Sequence, residues 1–202
     1  MAIKAIVFDL GGVLVELEGQ PIKNEWMSSA ESFEDNWRRW LSSPLSQAFE
    51  RGEIEIDEFA EGLIAEMQLK VGKAQFIDEF TRWPKAFFEG VFDLMQALEP
   101  LTLGVFSNIT AVHWPRYYPD LFSSGCFTHL FASYQLGLAK PDPNAYKAIA
   151  TKMGLACNEV LFFDDNQVNV DGARSVGMQA ELTVGLKGVY TALEQHQLLP
   201  RQ

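Results

Sequence analysis

Short, unbroken apolar runs recur along the chain, and most of them stop at a polar or turn-forming residue. Ala5-Ile6-Val7-Phe8 ends at Asp9 and the pair Gly11-Gly12, Leu101 to Phe106 ends at Ser107, and Val160 to Phe163 ends at Asp164. Leu130-Phe131-Ala132 and Ala180 to Val184 are two further runs. Segments this short, with no polar alternation, predict strands buried on both faces. Between them the apolar positions recur at helical spacing. Tyr146, Ile149, Ala150 and Met153 share one face, and Asp142-Pro143 supplies an N-cap with proline in the first turn. Strands alternating with helices predict an α/β core with a doubly wound parallel sheet, and such sheets carry their sites at the carboxyl ends of the strands.

From about residue 16 to 85 the alternation stops and only helical patterns remain. Phe33, Trp37 and Trp40 form one stripe, Phe59, Leu63, Ile64 and Met67 a second, and Phe76, Phe80 and Trp83 a third. The expected organisation is therefore a core of residues 1–15 and 86–202 interrupted by an inserted all-helical cap, 16–85. Most of the aromatic stripes are expected to pack the insert's own core. An insertion beside the first strand end would overhang the mouth of the sheet, where a lid belongs.

Composition narrows the partners. The 202 residues carry a formal net charge of -11, which disfavours nucleic acid and anionic membrane surfaces, because a phosphate backbone would be repelled over most of the molecule. A phosphate ligand needs a local positive patch. Cys126 and Cys157 form no CxxC pair, so neither a zinc site nor a disulfide framework is expected, and a reducing cytoplasm fits best. The first fifteen residues lack the pattern of a secretory leader, and no run approaches a membrane span. The phosphate cradles GxGxxG and GxxxxGK[ST] are missing, as is the GxSxG elbow, and His113, His129 and His196 are isolated. The oligomeric state is not set by the sequence.

Polar groups cluster at four strand ends or adjoining loops: Asp9, Ser107-Asn108, Lys140 in Gly137-Leu138-Ala139-Lys140-Pro141, and Asp164-Asp165-Asn166. Singly, each has an ordinary explanation as a turn former, a helix cap or a solvated charge. Together, at corresponding ends of one sheet, they predict one site. Three carboxylates beside a phosphate dianion would repel the ligand and one another, so the arrangement calls for a cation. Mg²⁺ takes hard oxygen ligands, and Lys140 would add a point charge. With that neutralisation an unprotonated Asp9 can attack phosphorus in line and form an aspartyl phosphate, which water then hydrolyses.

Phe8-Asp9-Leu10-Gly11-Gly12-Val13, Phe106-Ser107-Asn108, Lys140-Pro141 and Phe163-Asp164-Asp165-Asn166 resemble, in order, the four motifs of the haloacid dehalogenase superfamily phosphatases. The resemblance covers the whole core, and the helical insert stands where many members carry a cap. It implies a Mg²⁺-dependent phosphomonoester hydrolase acting on a small metabolite. By that resemblance Asp9 is the catalytic nucleophile and a metal ligand, and the Gly11 carbonyl is a metal ligand. Ser107 and Lys140 are catalytic and bind phosphate, with Asn108 supporting the phosphate site through its backbone. Asp165 is the direct metal ligand of the last motif and Asp164 holds a metal-bound water. Asn166 and Asn169 receive no catalytic role.

A narrower likeness, to bacterial alpha-D-glucose-1-phosphate phosphatases, runs through Asp9-Leu10-Gly11, Ser107-Asn108, Trp114, Tyr118-Pro119 and Gly137 to Pro141. It suggests a sugar 1-phosphate substrate. The chain departs from most superfamily phosphatases at Gly11, where they carry a second aspartate that protonates the leaving group; glycine cannot do this. The competing readings are a metal-free 2-haloacid dehalogenase, whose last motif usually lacks paired aspartates, and a sugar-phosphate binding module without turnover. A signalling receiver would place its acidic pair before the acceptor aspartate, which is the wrong order here.

Overall fold

The computed structural model describes residues 2–17, 19–27 and 32–199. Five strands, β1 (Ala5–Phe8), β4 (Thr102–Ser107), β5 (His129–Ala132), β6 (Val160–Asp164) and β7 (Gln179–Leu182), form a parallel sheet in the order β5-β4-β1-β6-β7. These are the apolar runs read from the sequence, shifted by a residue or two. Val184 falls outside the last strand, where it is exposed and precedes a helix.

The runs are apolar throughout because both faces are covered. On one face Ile6, Phe8, Leu103, Val105, Leu161 and Phe163 pack against α5 (Val91–Ala97), α6 (Trp114–Ser123) and α10 (Gly185–Gln195). On the other face Val7, Phe106, Phe131 and Phe162 meet α8 (Pro143–Lys152) and α9 (Gln167–Ser175). Odd and even positions of each strand thus serve different helix layers. Asp142 caps α8 as expected, its carboxylate accepting from the Asn144 amide at 2.8 Å.

The insertion holds α1 (Phe33–Ser42), α2 (Pro44–Glu50), α3 (Ile56–Glu66) and α4 (Lys73–Arg82). Ser32 and Ser43 cap the first two helices, the second with proline behind it. Their shared interior is aromatic: Phe49 stacks on Phe59 with ring centroids 4.3 Å apart, and Trp40 meets Phe59 edge-on at 5.7 Å. Phe76 and Phe80 complete the cluster. The stripes of the sequence therefore largely pack inward. Trp37, Trp40, Phe80 and Trp83 also border the cavity described below, and the Phe33 side chain lies outside the described part of the structure.

The sequence pattern did not anticipate a short antiparallel ribbon, β2 (Val15–Leu17) paired with β3 (Pro84–Phe87), where the chain enters and leaves the helical insertion. Its strands are too short to show a period of two, and one of them begins with proline. Between β5 and α8, α7 (Ser133–Leu136) is a single turn following β5 directly.

Candidate active site

The carboxyl ends of β1, β4 and β6 converge under the insertion. Asp9, Gly11, Ser107, Asn108, Lys140 and Asp165 line a cavity of about 760 Å³, and Asp164 lies wholly buried beside it. All the residues singled out in the sequence are thus brought together. Lys140 is the hub: its Nζ lies 2.9 Å from Asp9 Oδ1 and 2.6 Å from Asp164 Oδ2. The buried ammonium also faces the rings of Phe106 and Phe162, with centroids 5.6 and 5.5 Å away.

Neighbouring polar bonds fix this cluster. Asn108 clamps the Lys140 backbone from both sides, its Oδ1 accepting from the Lys140 amide at 2.8 Å while its Nδ2 donates to the Lys140 carbonyl at 2.9 Å. The Asn108 side chain thus holds the Lys140 backbone, a role beyond the backbone one expected from the sequence. Asp164 Oδ1 accepts from the Asn166 amide at 2.9 Å and from Asn169 Nδ2 at 3.0 Å. Asn166 also caps α9, and Asn169 is a holder of Asp164 that the sequence did not reveal. Gly12, at a φ of +71°, lets Asp165 in: a Cβ there would stand 2.1 Å from Asp165 Oδ2.

The charges are out of balance. Burial pushes the Asp9 carboxyl up; Lys140 pulls it back, Asp164 adds to the rise, and the outcome stays above the ordinary range. Burial also raises Asp165, and the charges of Asp9 and Asp164 help to carry it to about 7. For Lys140 burial acts downward, but Asp164 and Asp9 outweigh it and hold the ammonium firmly protonated. Oxygens of Asp9, Asp164 and Asp165 lie within 4.8 Å of one another, so one ammonium faces three clustered carboxyls. A hard divalent cation fits this oxygen set.

The roof of the cavity comes from the insertion and its surroundings. Trp37, Trp40, Trp83, His113 and Tyr117 contribute rings to the lining, and the buried Ser46 hydroxyl has no hydrogen-bond partner among the described residues. Glu50, the last residue of α2, also borders the cavity and accepts from Asn108 Nδ2 at 3.2 Å through Oε2. Burial lifts its carboxyl to about 7, against the opposing pull of Lys140. Sequence reasoning missed Glu50. The available signal was an acid at a helix C-terminus, where the macrodipole disfavours it, followed closely by a glycine. That glycine, Gly52, has a φ of +70°, and a Cβ there would meet the Tyr134 carbonyl at 2.7 Å. Ser133 Oγ donates to the Glu50 carbonyl at 2.6 Å, and His113 Nε2 lies 2.9 Å from the Phe80 carbonyl, so the insertion is tied to the core at several points.

Residues 3–177 match the family model described as haloacid dehalogenase-like hydrolase. The chain is 34% identical over 197 residues to phosphatase MT3486 of Mycobacterium tuberculosis, covering 90% of this chain and 88% of that protein. It is 27% identical to the sesquiterpene phosphatase astK of Aspergillus oryzae, over 97% of this chain and 96% of the other. In fold it is similar to the HAD family enzyme bt-2542 of Bacteroides thetaiotaomicron, whose structure holds magnesium and inorganic phosphate. That likeness has a TM-score of 0.71 at 22% identity, over 90% and 94% of the two chains.

Proposed function

This chain belongs to the haloacid dehalogenase-like hydrolases and is a phosphatase of that family, and from that premise we propose that it hydrolyses a small phosphomonoester, with Mg²⁺, through a covalent phosphate on Asp9. The observation that carries the reading is the gathering of Asp9, Ser107, Lys140, Asp164 and Asp165 around one cavity under a helical roof. In this reading residues 16–85 are the cap and 1–15 with 86–202 the catalytic core.

Mg²⁺ would be held by the Asp9 and Asp165 carboxylates and the Gly11 carbonyl, and when bound it supplies positive charge to the phosphate oxygens. Asp164 has both oxygens engaged by Lys140, Asn166 and Asn169, which suits a group that orients rather than ligates directly. Asp9 attacks phosphorus in line, Ser107 donates a hydrogen bond to a phosphate oxygen, and the Lys140 ammonium balances the transferring charge. Water then cleaves the aspartyl phosphate.

The best candidate substrate is a sugar 1-phosphate such as alpha-D-glucose 1-phosphate. Gly11 cannot itself protonate the departing oxygen, and an anomeric oxygen, which bears negative charge better than an ordinary alkoxide, depends least on a donor from elsewhere in the site. The aromatic rings of the roof and the unpartnered Ser46 hydroxyl suit a polar ring. No helix among the described residues is long and apolar enough to cross a membrane, and the free Cys126 and Cys157 suit a cytoplasmic setting.

The test is a panel of phosphomonoesters, including matched 1- and 6-phosphates of one sugar, assayed with Mg²⁺ and with chelator. Turnover should require the metal, fall by at least about 10⁴-fold in Asp9→Asn, and favour the 1-phosphate. Full activity in chelator or in Asp9→Asn protein would end the mechanism. A reproducible preference for the 6-phosphate would end the substrate assignment alone.

A further inference from the structure

We propose that Glu50, carried by the cap, is the proton donor to the leaving oxygen, standing in for the acid that Gly11 cannot be. The proposal rests on the phosphatase reading above. Three observations converge on it. Gly11 has no side chain, Asp165 is assigned to the metal and Ser107 to a phosphate oxygen, and the two other floor donors are already engaged. The Lys140 ammonium is committed to Asp9 and Asp164, and the Asn108 amide to Lys140 and Glu50. Secondly, Glu50 enters from the roof. A nucleophile on the floor attacking in line expels its leaving group on the far side, and the roof is that side. Thirdly, Glu50 is held in place: its carbonyl accepts from Ser133 Oγ at 2.6 Å, its Oε2 from Asn108 Nδ2 at 3.2 Å, and Gly52 allows the following loop to lie against Tyr134.

An ionised carboxylate at this place would repel a phosphate dianion, whereas a protonated one can donate to it. Desolvation raises the Glu50 carboxyl and Asp9 adds to the rise, while the charges of Lys140 and Arg51 and the Asn108 hydrogen bond pull it back without prevailing, and it stands at about 7. Near neutrality it can therefore serve as acid and then as base. In the first step Asp9 bonds to phosphorus, the bond from phosphorus to the ester oxygen breaks, and its electron pair stays on that oxygen, which takes the Glu50 proton and leaves as an alcohol. In the second step Glu50 takes a proton from the water that attacks phosphorus. The bond to Asp9 then breaks with its pair returning to the carboxylate, and inorganic phosphate leaves.

The experiment compares the wild type with Glu50→Gln and Glu50→Asp on an aryl phosphate with a good leaving group, p-nitrophenyl phosphate, and on glycerol phosphate. Alkyl turnover in Glu50→Gln should drop by about 100-fold or more, and aryl turnover by less than about 10-fold, since a phenolate of low basicity needs little protonation. The ratio of 1-phosphate to 6-phosphate turnover should widen accordingly. Glu50→Asp should regain part of the alkyl rate. The alkaline decline of wild-type alkyl turnover above about pH 7 should vanish in Glu50→Gln. Equal losses on both substrates would assign Glu50 a positioning role and overturn the proposal, as would an unchanged alkyl rate. A wild type that turns over neither ester would instead sink the phosphatase reading, and this inference with it.

Discussion

The floor and the roof of the cavity are built by different means. On the floor, strand ends deliver charged and polar side chains that bond to one another: Lys140 joins Asp9 to Asp164, Asn108 clamps the Lys140 backbone, and Asn169 steadies Asp164. The roof stands on aromatic packing, with Phe49, Phe59, Phe76 and Phe80 in one cluster and Glu50 as a polar group projecting from its edge. A polar network fixes geometry bond by bond, so its members depend individually on their partners. A packed cluster fixes an orientation collectively, and damage there spreads through the whole element. In the proposed reading the nucleophile and the charge-neutralising groups sit on the first, and the second carries the proton donor.

The sharpest way to separate the two is Phe59→Ala. Phe59 is fully buried at the centre of the aromatic cluster, and its truncation should cost about 3–5 kcal/mol of stability. Denaturant unfolding would measure that loss, while calorimetry at a temperature where the variant is folded should find Mg²⁺ affinity almost unaltered. A large fall in metal affinity would mean that roof and floor are not independent. The next effect belongs to the floor. Asp165→Asn should weaken Mg²⁺ binding by about 100-fold, and Asp164→Asn by less, because Asp165 is the proposed direct ligand and Asp164 is already engaged by protein donors. Finding Asp164→Asn the more damaging would reverse the two roles.

A further effect lies at the junction. The Glu50 carboxyl is raised from 4.5 to about 7 on folding, so the folded state binds the extra proton between those values. Its contribution to stability is complete below about pH 4.5 and is lost as the pH rises through about 7. Thermal unfolding in chelator should therefore show the wild type losing ground to Glu50→Gln across that interval. A difference that stays flat with pH would mean that Glu50 is not buried as a neutral acid.

The contrast also explains what the sequence disclosed. Asp9, Ser107 and Asp164 were legible because each ends an apolar run, so a local pattern marks both the strand and the side chain at its tip. Lys140 was legible from its setting before Pro141 and the capped helix. Glu50 carries no comparable local mark: an acid at the end of a short helix looks like any solvated charge until Asn108 and Ser133 come up against it from distant parts of the chain. Asn169 was hidden for the same reason, because its partner Asp164 is reached only once α9 has turned. The ribbon of β2 and β3 went unread because pairing between strands so short depends on their meeting, which the helices between them arrange.

That ribbon also changes the polymer problem the chain has to solve. Val15 pairs with Phe87, so the two ends of a long insertion lie side by side. Pairing β1 with β4 would otherwise require closing a loop through all the intervening residues, at an entropic cost that grows with contour length. Once the insertion has folded, the effective path between those strands runs across the ribbon, and the core meets the cap as though it were a hairpin turn.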